Sequence, residues 1–521
     1  MKIGFASLYP YRPHLKQMAY LASQAKIAGH EAFFLELGPG FENCHAKLDE
    51  GYFKKKVASL KIKYAGLNGF LSGNRDTLSA FVINSDKKRD PSKFLYSARS
   101  TVASKYGISS VEGLNNENIS RLIDKNLVTI QDAYAGALAW LEIRKFDLVI
   151  GFNGRIDVTN ALMQACLDSK TPYFSLERSW TGDGIQLVKN GTPLSLSTMN
   201  DVVEKWATKP LKSYQIIQAF SFLAKRFSRE AFGEYQQWNS GQEFGLIDKN
   251  YSWLYTPSSI FERVGHPDWA VEWRSDMEAV EFLLQSRSIH SSQLIVRGHP
   301  QWATYSPSSD QVYSDWCAKI GAKYIESNSK VNTQELIFKS DNIISYGSTS
   351  AFEAGIFGKN IFNLSPTFYE KGGFTTNVFS KKGGFDKAET KLSKKEISRL
   401  CLRSLYSINY RYMKLTEEIK AIDNFDYVYK AMSQTDFFDK LCEEKDLISN
   451  KDFCNSSLDE DNFLDALFED IEKNTFDKSF FEEYKIQHGF YDNDVSLDPE
   501  YKDMKRIGFW KIMDLVDYYV K

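Results

Sequence analysis

Cysteine is scarce in this sequence. The six present (Cys44, Cys166, Cys317, Cys401, Cys442 and Cys454) form no Cys-x-x-Cys pair and have no histidine at zinc-site spacing. That excludes a disulfide framework or a structural zinc site, and the thiols read as reduced. Long apolar runs are also missing: no window reaches the roughly 18 uninterrupted apolar residues of a membrane span. The opening stretch MKIGFASLYPYRPH lacks the apolar core of a secretory signal and is interrupted by Pro10 and Pro13. Together these absences lead to the expectation of a cytoplasmic protein. The net charge of −2 excludes a global positive field, so no nucleic-acid partner is expected. Four motifs are absent: Gly-x-x-x-x-Gly-Lys-Ser/Thr, Gly-x-Gly-x-x-Gly after the first strand, Gly-x-Ser-x-Gly and His-Glu-x-x-His. P-loop, dinucleotide, serine-hydrolase and zincin chemistry therefore have no signature here. Internal repeats and low-complexity tracts are absent as well.

What is present is an alternation of strand and helix signals. At 521 residues, with 43% hydrophobic and 25% charged, the chain has the composition of a globular protein with room for two or three domains. KIGFAS reads as a strand, HLKQMAYLASQAKIAG as an amphipathic helix and HEAFFLEL as a second strand, which makes a β-α-β unit with parallel strands. A largely helical middle follows. FDLVIGFNGR, VTNALMQACLDSK and TPYFSLER then continue the alternation. A second series begins at YSWLYTP and runs through SQLIVRGHP, AKYIES and NIISYGSTS to KNIFNL. The fold class expected is α/β, with two Rossmann-like doubly wound domains over residues 1–245 and 246–430. Residues 431–521 form a helical C-terminal extension in which acids outnumber bases.

Candidate site residues cluster where strands end. Arg297, His299 and Pro300 follow the strand in LIVRGHP, at the edge where open α/β sheets bind ligands. The guanidinium suits a phosphate, and the imidazole a phosphate or ribose hydroxyl. Ser348, Thr349 and Ser350 turn from a strand into a helix, whose N-terminus can seat a phosphate. Ser350-x-x-Glu353 equally fits a capping box, and the two roles are compatible. In the first domain, His14 follows the first strand, Arg155 ends FNGR, and Glu177 lies in SLERSW. His14 is a candidate proton acceptor from a hydroxyl nucleophile, against the alternative of a capping or solvated loop residue. Glu177 is a general base, a sugar-hydroxyl ligand or simply the ion-pair partner of Arg155. Asp459-x-Asp461 and Asp492-x-Asp494 have metal-pair spacing but sit in the acidic tail, so no metal is expected. The apolar terminal stretch IGFWKIMDLVDYYVK needs a surface to cover it, and packing on the first domain is expected.

These stretches resemble bacterial surface-polysaccharide glycosyltransferases of the two-domain GT-B type. PHLKQMAYLASQAKIAGHEAFFLE with Cys44 is similar to their N-terminal opening. FNGR and LER are similar to their acceptor-side loops. LIVRGHPQW, the block from Val331 to Leu364 and Tyr369 are similar to their donor side. Capsule-type Kdo (3-deoxy-D-manno-octulosonic acid) transferases use a His-Pro and Ser-Ser/Thr pair to hold a CMP-sugar. By that resemblance His299, Pro300, Ser348 and Thr349 would bind the nucleotide and Glu353 a ribose hydroxyl. Ser179 stands where those enzymes continue Glu-Arg-Gly, which leaves the sugar open. The resemblance implies a metal-independent enzyme with no cofactor besides its nucleotide-sugar donor. It further implies a glycan or lipid-linked glycan acceptor and peripheral contact with membrane-bound polysaccharide assembly machinery. A non-hydrolysing sugar-nucleotide epimerase, a glycerol- or ribitol-phosphate transferase and a non-catalytic scaffold are the alternatives.

Overall fold

The computed structural model describes residues 1–473 apart from 10, 12, 65–73, 83–89, 109–110, 180–183, 228–242, 244, 248–249, 259, 262, 301, 306, 382–391, 413–414, 416–417, 422–426, 433–435 and 444–451. Two six-stranded sheets organise these residues. The first is built from β1 (Lys2–Ser7), β2 (Glu31–Glu36), β3 (Asn74–Thr77), β4 (Leu148–Phe152), β5 (Tyr173–Arg178) and β6 (Ile185–Lys189). Its spatial order is β3-β2-β1-β4-β5-β6. The second is built from β7 (Tyr251–Thr256), β8 (Leu294–Arg297), β9 (Lys323–Ile325), β10 (Ser340–Ser345), β11 (Asn360–Asn363) and β12 (Thr376–Asn377). It is ordered β12-β11-β10-β7-β8-β9. Counted from its own first strand, each sheet follows the doubly wound 3-2-1-4-5-6 order. Every pairing is parallel except β5 with β6. The two Rossmann-like α/β units expected from the alternation are therefore present.

Because successive strand residues point to opposite faces, each sheet feeds two cores. Phe5 and Ile150 face the helix His14–Ile27, while Ala6 and Val149 face Trp140 of the long helix Glu117–Arg144. In the second sheet Leu254 and Ile343 lie on one face, and Tyr255 and Ile344 on the other.

Three features depart from the sequence reading. The strand β3 has the polar sequence NRDT and carries no apolar alternation. It is held through Asp76, which accepts from Trp140 Nε1 at 2.8 Å and from Arg144 at 2.6 and 2.9 Å. A division at 245 and 430 also separates segments from their cores. The helices Leu196–Ala207 and Ser213–Phe227 bury Val203, Phe220 and Leu223 in the core of the second sheet. Conversely, the hairpin β13 (Ile419–Ala421)–β14 (Tyr427–Tyr429) and Phe437 and Phe438 pack in the core of the first. An amphipathic helix shows which face it buries but not which sheet covers it. Finally, the helix Leu458–Lys473 inserts the fully buried Glu460 against Arg403, at 2.6 and 2.8 Å.

Among the described residues no helix is long and apolar enough to cross a membrane, and all six cysteines are free. The terminal stretch from Ile507 and the pair Asp492-x-Asp494 lie outside the described residues.

Candidate active site

Both carboxyl-end edges place site residues at the switch point, where strand order reverses and open sheets bind ligands. On the first sheet this crevice lies between β1 and β4. His14 opens the helix after β1, Asn153 and Arg155 follow β4, and Glu177 stands near the end of neighbouring β5. His14 Nε2 and Glu177 Oε1 make a short hydrogen bond. Glu177 Oε2 accepts from Asn153 Nδ2 at 2.8 Å, and Oε1 also accepts from the Arg178 N–H at 3.1 Å. Burial alone would raise the Glu177 carboxyl. The attraction and hydrogen bond of His14, with the bond from Asn153 and the charge of Arg178, overcome it and hold the carboxyl down to about 2. A carboxylate bonded at Nε2 puts the neutral imidazole's proton there and leaves Nδ1 as the lone-pair nitrogen. Among the described residues Nδ1 has no hydrogen-bond partner; it is shielded from solvent, with the Phe152 ring centred 4.5 Å from the imidazole.

Arg155 is not among the partners of Glu177. Its Nη1 donates to Ser100 Oγ at 2.6 Å and Ser104 Oγ at 2.9 Å, and its N–H donates to Asn153 Oδ1 at 3.0 Å. Asn153 thus joins the two residues singled out in the sequence without itself having been singled out. It adopts the left-handed region, φ +61°, which asparagine tolerates better than most residues. Its position in the quoted FNGR was the only available signal.

On the second sheet the switch point lies between β7 and β10. Here Ser348, Thr349 and Ser350 form a self-bonded corner. Ser348 Oγ accepts from Ser350 N at 3.2 Å and Ser350 Oγ at 2.9 Å, and the buried Tyr369 hydroxyl donates to the Ser348 carbonyl at 2.6 Å. Ser350 Oγ also lies 2.8 Å from Thr256 Oγ1 at the end of β7. The expected Ser350–Glu353 capping box is not formed, because the helix Ser350–Ile356 has no side-chain cap. Glu353 is instead 2% exposed and paired at 2.7 Å with Arg226 of the helix Ser213–Phe227, whose Nη1 also donates to Thr349 Oγ1 at 3.2 Å. It is therefore turned into the protein, away from a ribose.

Arg297 is likewise consumed internally. It is 2% exposed and donates to the Glu326 and Ser329 carbonyls, which fixes the loop after β9. A guanidinium so engaged does not face the cleft. His299 and Pro300 remain half-buried at the end of β8, beside Trp302. Burial, then the Arg297 charge, push His299 down to about 4, so its imidazole is neutral at pH 7. Asp459 and Asp461 bind separate partners, Ser213 and the Lys395/Arg399 pair, and form no metal site. Among the described residues no cluster of three or more His, Cys, Asp or Glu could hold a metal ion.

Between the two sheets lies a cavity of about 1070 Å³. Its first-domain wall is Ser104 to Gly107; its second-domain wall includes Arg263, Trp273, Trp302, Tyr313 and Tyr346. A ladder of bonded residues, Glu177–Asn153–Arg155–Ser104, runs from the His14–Glu177 pair to this wall. Neither the pair itself nor Ser348 and Thr349 line the cavity; the corner reaches it through Tyr346.

No family model matches the chain, and no curated protein matches it. Solved structures do show a likeness. The Thermosulfurimonas dismutans KpsC β-Kdo 2,4-transferase is 13% identical, with TM-score 0.29 over 50% of this chain and 78% of that one. UDP-GlcNAc 2-epimerase from Neisseria meningitidis, bound to UDP-GlcNAc, is 13% identical, with TM-score 0.28 over 85% and 100%. The spinosyn rhamnosyltransferase SpnG is 10% identical, with TM-score 0.23 over 78% and 95%. These likenesses are too loose to carry a function across, so the reading of this chain rests on its own geometry.

Proposed function

We propose that this chain is a glycosyltransferase that moves a sugar from a nucleotide-sugar donor, of CMP-Kdo type by resemblance, onto a hydroxyl of a bacterial surface glycan. The observation that carries the reading is the His14–Glu177 pair, fixed by Asn153, on the sheet edge of a two-domain cleft. In this scheme Glu177 holds the imidazole proton at Nε2 and Nδ1 takes the acceptor hydroxyl's proton as the oxygen attacks the sugar carbon. Because Nδ1 is shielded, the acceptor must uncover it on entering. Arg155, two bonds along the ladder, adds positive charge between the pair and the cavity. The donor lies on the second sheet's edge, its nucleotide between His299–Pro300 and the Ser348–Ser350 corner. Neutral His299 can both donate and accept there.

The test is product formation. Incubation with a nucleotide sugar and an acceptor glycan should release free nucleotide and lengthen the glycan. Conversion of the nucleotide sugar with no acceptor present would instead mark an epimerase, and phosphorus in the product a polyol-phosphate transferase.

A further inference from the structure

The loop between β7 and the helix Asp276–Ser286 leaves the second sheet, touches the first domain and returns. Val264 is buried in the first domain's core, with Ile260 packed against it. The His266 ring meets Tyr96 edge-on at 4.7 Å. Between these contacts Arg263 turns back toward the second sheet's switch point and lines the cavity. It is 8% exposed, stacks over Trp269 at 4.6 Å and Tyr346 at 5.6 Å, and donates from Nη2 to the Tyr346 carbonyl.

Two features of this arginine are unusual. First, it makes no ion pair with a carboxylate among the described residues. A buried cation is normally paired, because desolvating it alone is costly. Burial accordingly pulls its pKa down. The carboxylate whose charge acts on it, Asp276, accepts hydrogen bonds from the hydroxyls of Tyr255 and Tyr313. Every other inward-facing arginine already described is used up: Arg297 on two carbonyls, Arg226 on Glu353, Arg155 on two serines. Second, the corner is shaped around it. Gly347 has φ +74°, and a Cβ at that position would lie 2.0 Å from Arg263 Nη1. Glycine is therefore required twice, for the left-handed turn and for the guanidinium's space.

We infer that Arg263 is the anion ligand of the interdomain cavity, where it takes the phosphate group of a nucleotide whose base or sugar lies against the cavity's aromatic wall. A guanidinium with one of five N–H donors engaged, fixed by two aromatic faces, is prepared for a planar, multidentate phosphate contact. Trp273, Trp302 and Tyr313 supply the stacking surface for a ring beside it. The inference rests on the donor-binding reading and changes it in one respect: Arg263, not Arg297, offsets the leaving phosphate's charge. Because the same loop is anchored in the first domain through Val264 and His266, phosphate held at Arg263 also ties the loop to both halves of the cleft.

The test uses the full chain and two probes, inorganic pyrophosphate and CMP, with UDP and GDP as alternative nucleotides. In the wild type, pyrophosphate and one nucleotide should raise the melting temperature in proportion to the logarithm of their concentration. Arg263→Met keeps the side chain's length and removes the unpaired charge. It should melt at or above the wild-type temperature without ligand, and bind both probes at least tenfold more weakly. Arg263→Lys should fall between them. Equal affinities in wild type and both variants would overturn the inference while leaving donor binding intact. Arg263-dependent pyrophosphate binding with no response to any nucleotide would keep the anion site and overturn the donor reading. If Arg263→Met does not fold, Arg263→Lys decides: undiminished pyrophosphate and nucleotide affinity there would show a structural arginine.

Discussion

The two sheets share one strand order and use it in opposite ways. On the first, the connection from β1 to its helix is short, residues 8–13, and the switch point carries the hydrogen-bonded His14–Glu177 pair. On the second, the corresponding connection spans residues 257–275 and reaches across to the first domain. Its switch point carries a buried cation with no carboxylate partner among the described residues, opening on a cavity. Identical topology therefore fixes where chemistry can be placed, while loop length decides whether that place is filled or left open. In the reading proposed above, one edge moves a proton and the other receives an anion.

The largest effect should come from the ion pair that holds the second edge. Removing one partner of the buried Arg226–Glu353 pair leaves a charge without its counterion, which typically costs about 3–5 kcal/mol. Arg226→Met should therefore lower stability by that order in urea unfolding. Arg226→Met with Glu353→Leu should recover most of it. A single variant as stable as the wild type would show that the corner does not depend on this pair.

Next is the first edge. Glu177→Gln should cut turnover at least about a hundredfold, with nucleotide affinity little changed, since the residue belongs to the first sheet and the donor is assigned to the second. Turnover per folded molecule near wild type would return Glu177 to a purely structural role. On the second edge, His299→Ala and Thr349→Val should each weaken nucleotide binding roughly tenfold or more, as expected for losing one hydrogen bond to a charged group worth about 1.5–3 kcal/mol. Calorimetry giving unchanged affinity in both would separate the corner from the donor site.

The smallest effect is a pH dependence. The folded-state Glu177 carboxyl is held down to about 2, below its unfolded value near 4.3. A depressed carboxyl contributes stability that is fully present above the unfolded value and is lost as pH falls toward 2. The stability difference between wild type and Glu177→Gln should thus shrink as pH falls below about 4 toward 2. A difference that stays constant from about pH 5 down to about 2 would contradict the assignment of the carboxylate.

Much of this was legible beforehand for a physical reason. Buried parallel strands are short apolar runs, and β1, β4, β7, β8 and β10 all announce themselves in that way. The positions of His14, Arg155, Glu177, His299 and Ser348 followed, since a residue just past such a strand lies on the ligand edge. Pairing was not legible. Whether Glu177 met Arg155 or His14, and whether Glu353 capped its helix or met Arg226, depends on elements far apart in sequence. Arg226 itself comes from a helix whose host sheet the sequence does not reveal. Arg263 was missed because it lies in a long loop with no periodicity, and its role depends on the space left by Gly347. Arg297 misled because a strand-end arginine looks the same whether it faces the cleft or the carbonyls behind it.

The central claim is that the cleft between these two sheets holds a nucleotide sugar. The most direct measurement is a thermal-shift titration of the intact chain with CMP, UDP, GDP, TDP and CDP. One nucleotide should raise the melting temperature, with stabilisation growing as the logarithm of free ligand above its dissociation constant. Melting temperatures unmoved by all five, up to millimolar concentration, would contradict the account.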